Sequence, residues 1–162
     1  MKKIYLAYAV AAIVLILVLV GWFYEASVFW ETPDSGTSAT STAQNGTRTI
    51  QLDGNTIRVE VADNDTTREL GLGGHAPLAS DQGMLFVFPQ DGVLKFWMKG
   101  MTFSLDIIWL QDDGTISYIA QNLSPATYPQ AFGPDTQARY VLEVNAGYAK
   151  ANGVKTGDKV QL

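Results

Sequence analysis

Cysteine is absent from the chain's 162 residues. No disulfide, zinc–thiolate site, thiol nucleophile or cysteine-borne lipid can form. Histidine occurs once, at His75, which excludes a multi-histidine metal centre. Basic residues are few: 11 Lys and Arg stand against 16 Asp and Glu, a net charge of −5. With no basic stripe, nucleic acid is not expected as a partner. There is no internal repeat and no alternation of strands with long helical stretches, so a βαβ rhythm is missing as well.

What is present is unevenly distributed. Residues 4–24, IYLAYAVAAIVLILVLVGWFY, carry no charge. At ~1.5 Å per residue this run spans roughly 30 Å, the thickness of a bilayer's hydrocarbon core. Lys2 and Lys3 precede it, and the next basic residue is Arg48. The positive-inside rule puts the N-terminus in the cytoplasm and the remainder outside. Trp22, Phe23 and Tyr24 suit the outer interface. A cleaved signal peptide would have a shorter apolar region followed by small residues, so residues 1–30 are expected to be a single-pass anchor in the cell membrane. Residues 31–47 contain eight Ser or Thr and almost nothing apolar, the composition of a flexible tether. Its reach is about 20–25 Å.

Residues 48–162 carry a charge of −4 and are expected to form one extracytoplasmic, mainly β domain with two short helices. Residues 49–52 and 56–61 flank Asp53-Gly54-Asn55, a hairpin signal. Residues 66–70 predict a short helix capped by Asp63 or Asp65 and ended by Gly71, Gly73 and Gly74. Residues 84–88 read as a strand buried on both faces. Further strands are predicted over 95–98, 105–110, 115–120, 140–144 and 159–162. A Pro- and Gly-rich loop is expected over 121–137, and a helix over 146–152 capped by Asn145. The expected architecture is a small antiparallel β-barrel or sandwich, preceded by one transmembrane helix.

Five blocks of sequence support a family resemblance. GMLFVFP (residues 83–89), FWMK (96–99), LDI (105–107), VLEVNAG (141–147) and GDKV (157–160) occur in that order. The chain resembles domain-of-unknown-function family 192, small bacterial and archaeal proteins that are often exported or membrane-tethered. The resemblance implies the fold and the domain boundary and names no activity. The family commonly reads FWMKNT followed by Pro-Leu-Asp. Here Gly100, Met101 and Ser104 replace its Asn, Thr and Pro, and His75 stands where Arg is common.

Asp106 is the most informative polar residue, because it lies in the apolar stretch LDIIWL. A buried carboxyl needs a partner or a raised pKa. If residues 95–98 and 105–110 form a hairpin, Lys99 faces Asp106 beside Trp97. The polar group then reads either as an ion pair that pins register or as a ligand-binding centre. Val141 and Glu143 share one strand face, and Glu143 paired with Asp106 would make a glycosidase-type dyad. The candidate ligand-binding set is therefore Trp97, Lys99 and Asp106, with Tyr128 and Glu143 at its edge. His75 is without a catalytic partner in sequence, and Arg68 is expected to pair with Asp65 or a loop carbonyl. Asp91-Gly92 and Asp112-Asp113-Gly114 are turn signals and do not follow a calcium-loop pattern. No metal or cofactor is implied.

The sequence thus predicts a membrane-tethered, non-catalytic module that binds a small polar molecule or an envelope component. An envelope carbohydrate hydrolase using Asp106 and Glu143 is one alternative. A structural assembly factor with an exposed flat apolar face is another. Sequence does not give the oligomeric state.

Overall fold

The computed structural model describes residues 46–162. The expected anchor and nearly all of the tether lie outside them. Among the described residues, no helix is long and apolar enough to cross a membrane. The described chain is mainly β with two short helices.

Strands β1 (Thr47–Leu52) and β2 (Asn55–Ala62) form the expected hairpin. Its turn residues, Asp53 and Gly54, both have positive φ, 48° and 79°. That backbone twist matches the twist of the paired strands. Helix α1 (Asp65–Leu70) is capped by Asn64 and not by Asp63 or Asp65. Asn64 Oδ1 accepts from the Thr67 N–H at 3.0 Å, and Thr67 Oγ1 accepts from the Asn64 N–H at 3.3 Å. The two exchanged bonds satisfy donors that the first turn leaves free.

Strand β3 (Gln82–Gly92) runs past Pro89, further than the apolar run alone predicts. The strand expected over 95–98 shrinks to β4 (Phe96–Trp97). β4 does not pair with β5 (Leu105–Leu110). It pairs with β7 (Ala131–Phe132), which lies in the segment expected to be all loop. β5 lies between β6 (Ile116–Leu123) and β8 (Ala138–Asn145). Helix α2 (Tyr148–Ala151) and strand β9 (Val160–Gln161) complete the chain. Asn145 does not cap α2. Its Nδ2 donates to the carbonyls of Leu78 and Ala79, at 3.1 and 3.0 Å.

Seven strands make one sheet in the order β6-β5-β8-β3-β2-β1-β9. Its neighbours are antiparallel except β2 and β3, which are parallel. The all-antiparallel expectation is corrected here, and the cause is the connection. Residues 63–81, including α1, carry the chain back to the end of the sheet where β2 began, as a parallel pair requires. The sheet curls into a half-barrel, and its two edges meet at a Thr115–Lys159 bridge. There the Ile116 N–H donates to the Asp158 carbonyl and the Val160 N–H to the Gly114 carbonyl.

Side-chain alternation sorts the buried residues into two clusters. Ile50, Ile57, Val59, Leu85, Ile108, Leu142 and Val144 share the first, which also takes in Ala149 of α2. Met84, Phe86, Ile107, Trp109 and Val141 share the second, with Leu72, Met98 and Leu105. β3, β5 and β8 supply both, which is why each reads as a nearly continuous apolar run. Burying a side chain of this size stabilises the fold by about 1.5–3 kcal/mol. Trp109 is fully buried, and its indole N–H is not stranded, because it donates to the Leu94 carbonyl at 2.9 Å. Gly83 permits the close approach of β3 to β8: a Cβ there would sit 2.6 Å from the Glu143 carbonyl oxygen.

Candidate functional site

The second face of the sheet carries a cleft of about 360 Å3. Two backbone turns and a two-residue strand build its walls. On one side α1 ends at Gly71, and the Gly71–Gly74 turn packs against the turn at Gly100. The Gly74 N–H donates to the Gly100 carbonyl at 3.1 Å, and a Cβ on Gly73 would meet the Lys99 carbonyl at 3.3 Å. On the other side is β4. Phe96 points inward, edge-on to Phe86 at 4.8 Å and to Trp109 at 5.9 Å. Strand alternation then sends Trp97 outward to the cleft mouth, where it is 46% exposed. Tyr128 stands beside it, ring edge to face at 6.0 Å, and is 47% exposed.

Glu143 lies at the cleft floor. It is 4% exposed, and its Oε2 is buried without a hydrogen-bond partner. Its strand neighbours across the sheet are Met84 and Ile107, both fully buried and apolar. Burial pushes its carboxyl up to about 8. At neutral pH the group is therefore mainly a protonated acid, with one donor and acceptor capacity left over.

The cations around the cleft are already occupied. Arg68 Nη2 meets Asp65 Oδ1 at 2.6 Å, its Nη1 donates to the Val87 carbonyl at 2.7 Å, and its guanidinium lies over the Phe88 ring. Lys95 donates to the carbonyls of Gly133 and Pro134 and to Asp135. Lys99 meets Glu69 at 2.9 Å and lies 5.4 Å from the centre of the Trp97 ring. The Glu69 carboxylate holds the Lys99 ammonium above its ordinary pKa through that hydrogen bond. Among the described residues, no group of three or more acids and histidines is arranged to hold a metal ion.

The expected centre of Trp97, Lys99 and Asp106 does not form. Asp106 is fully buried in β5, on the sheet face opposite the cleft. Its carboxyl accepts three backbone N–H groups: Asn122 at 2.8 Å, Gly147 at 3.0 Å and Ala149 at 2.9 Å. It ties the start of α2 and the end of β6 to β5, and it has no contact with Lys99. The hairpin that would have joined them fails because Gly100, at φ 71°, turns the chain out of the strand before β5 begins. The dyad of Asp106 and Glu143 fails by register. Asp106 pairs across the sheet with Val144 and Glu143 with Ile107, so the two carboxyls leave opposite faces. Of the five candidates, Trp97, Lys99 and Glu143 border the cleft and Tyr128 extends its rim.

Residues 48–162 match the family DUF192, described as uncharacterized ACR. The chain belongs to this family. A crystal structure of a proposed transcription regulator from Sinorhizobium meliloti 1021 is 33% identical, with a TM-score of 0.69 over 73% of this chain and 95% of that one. A protein of unknown function from Novosphingobium aromaticivorans DSM 12444 is 28% identical, with a TM-score of 0.68 over 72% of this chain and 85% of that one. No curated protein matches the chain. The DUF192 pattern gives Gly100 a physical reading. Its positive φ suits Gly best and Asn next, so this copy exchanges one turn residue for another and keeps the wall of the cleft. Met101 packs against the second cluster and borders the cleft, where the family's Thr would place a hydroxyl. His75 is half-buried, with its backbone N–H donating to the Leu72 carbonyl.

Proposed function

We propose that this DUF192 domain is a non-catalytic module that binds a small molecule in the cleft above Glu143. The observation that carries the reading is the buried, unpartnered Glu143 carboxyl at the floor of a concave site with an aromatic at its mouth. An unmet buried polar atom costs about 1–3 kcal/mol, and a ligand able to hydrogen-bond to it recovers that cost on binding. The cleft volume falls within the range of small-molecule sites, about 300–1,000 Å3. The exposed apolar residues Leu70 and Trp97 border this concavity, which favours a pocket-bound ligand over an assembly factor's flat face. The separation of Asp106 from Glu143 argues against a two-carboxyl hydrolase. The charge of −4 and the lack of a basic stripe argue against a nucleic-acid partner.

The domain belongs, on this reading, to a single-pass membrane protein with the cleft outside the cytoplasm, joined to its anchor through residues 31–47, whose Ser- and Thr-rich composition is that of a flexible linker. The uncharged run over 4–24 and the two lysines before it support the anchor and its orientation. Two experiments test the proposal. A fragment library screened by NMR against the full chain in nanodiscs should give ligands that shift the Trp97 indole N–H. A screen in which no compound moves it removes the binding reading. Because the chain has no cysteine, Thr40→Cys supplies a unique thiol. A membrane-impermeant maleimide should label it in intact cells, and labelling only after lysis refutes the orientation.

A further inference from the structure

The ligand class follows from how the polar groups of the cleft are already committed, an inference that rests on the binding reading above. Each cation at the walls is neutralised by the protein itself: Arg68 by Asp65, Lys95 by Asp135 and Lys99 by Glu69. A charged ligand would have to break one of these pairs or enter without a counter-charge. Glu143 supplies no fixed charge in the neutral form that its burial favours. What the cleft offers is a set of groups with spare hydrogen-bonding capacity and no spare charge. Glu143 has a donor and an acceptor. Lys99 uses one of its three donors on Glu69, and Glu69 Oε2 is free of that bond.

The second element is the platform. Trp97 and Tyr128 present flat apolar surface at the mouth, set nearly at right angles to each other. Such rings suit a ligand with an apolar C–H face and a polar edge. We infer that the cleft binds a neutral saccharide, with a ring face against Trp97 and a hydroxyl in a two-way hydrogen bond with the Glu143 carboxyl. A hydroxyl donates and accepts, and a carboxylic acid does the same, so one contact answers both needs of the buried group.

The test uses the 15N-labelled full chain in nanodiscs. Glucose, N-acetylglucosamine and cellobiose are the neutral probes. Glucuronate and glucosamine are acidic and basic versions of the same ring. The readout is the indole N–H of Trp97, assigned by its loss in Trp97→Leu. At least one neutral probe should shift it in a saturable way. Glu143→Gln, which keeps one donor and one acceptor, should bind within about threefold of wild type. Glu143→Leu, which fits the apolar surroundings but removes both, should bind more than tenfold more weakly. If a charged ring or a non-sugar fragment shifts Trp97 while the neutral rings do not, the saccharide inference is wrong and the binding reading stands. Loss of neutral-sugar binding in Glu143→Gln, or full retention in Glu143→Leu, also overturns it. If neither the probes nor a broad fragment library moves the indole, both readings fall.

Discussion

Replacing Asp106 by Ala tests the assignment of that residue to structure. Its carboxyl accepts three backbone N–H groups, from Asn122, Gly147 and Ala149. Hydrogen bonds to a charged group contribute about 1.5–3 kcal/mol each, so three set a ceiling of about 5–9 kcal/mol. The ceiling is not reached. The Ala149 bond is buried, while those of Asn122 and Gly147 are only part-buried, so water recovers much of the latter two. Removing a buried acid also relieves its desolvation. A net loss of about 3 kcal/mol remains, a large share of the 5–15 kcal/mol typical of a domain. For this size the melting temperature falls by about 4 °C per kcal/mol, so about 12 °C. Asp106→Asn keeps Oδ1 for Asn122 and Gly147 but sets an amide against Ala149, and should lose roughly half as much. Thermal melts monitored by circular dichroism give the magnitude. Amide exchange locates it, with faster exchange expected at Ala149. The Trp97 indole should stay in place, because Asp106 lies on the other face of the sheet. A loss below about 1 kcal/mol would refute the three-bond anchor. So would a non-additive double change of Asp106→Ala with Lys99→Met, since coupling would mean the two residues interact after all.

Three further outcomes are expected. Glu143 has a folded-state pKa near 8 against an ordinary 4.5, so the unfolded chain holds fewer protons between those values. Stability should therefore be greatest below pH 4.5 as far as this group is concerned and should fall as pH rises through 8, by at most about 1.4 kcal/mol per pH unit. Glu143→Gln should flatten that slope and be more stable at pH 7 by about 3 kcal/mol; urea titrations from pH 5 to 8 that run parallel for the two proteins would refute it. Trp97→Leu should leave the melt nearly unchanged, because the ring is at the rim; a drop above about 2 kcal/mol would place it in the core. Residues 46–162 expressed without the preceding segment should give a soluble protein with one cooperative unfolding transition, because both apolar clusters lie within them; a broad, non-cooperative melt would refute this.

The parts of the fold that were legible in sequence are those written by local chemistry. The β1–β2 hairpin follows from Asp53-Gly54 between alternating residues, and β3, β5 and β8 follow from apolar runs that serve both faces. Pairing between distant segments was not legible. The hairpin proposed for residues 95–110 assumed that neighbouring strands pair. Gly100 instead turns the chain, and β5 takes its partners from β6 and from β8. The helix caps were misjudged for a related reason. Asp63, Asp65 and Asn145 have the right chemistry for capping, yet α1 uses Asn64 and α2 is held by Asp106 from across the sheet.

The same limit exchanged the roles of the two buried acids. Period-two counting correctly put Glu143 on the face of Val141, and it correctly marked Asp106 as an acid in an apolar strand. What it lacked was the β5–β8 register, and a register shift of one residue moves every side chain to the other face. With Asp106 opposite Val144, its carboxyl turns toward α2 and meets three backbone donors. With Glu143 opposite Ile107, its carboxyl turns toward the cleft and meets none at Oε2. One acid is thereby spent on holding the fold, and the other is left with unmet hydrogen-bonding capacity beneath an exposed tryptophan. Conspicuousness in sequence was a poor guide because an isolated acid in an apolar run signals burial, and burial is shared by both. The distinction between structure and site lies in whether the buried group is satisfied. That is a property of partners brought to Asp106 from the Asn122 and Gly147–Ala149 segments, 16 to 43 residues away in the chain, and it becomes readable only once the sheet is assembled.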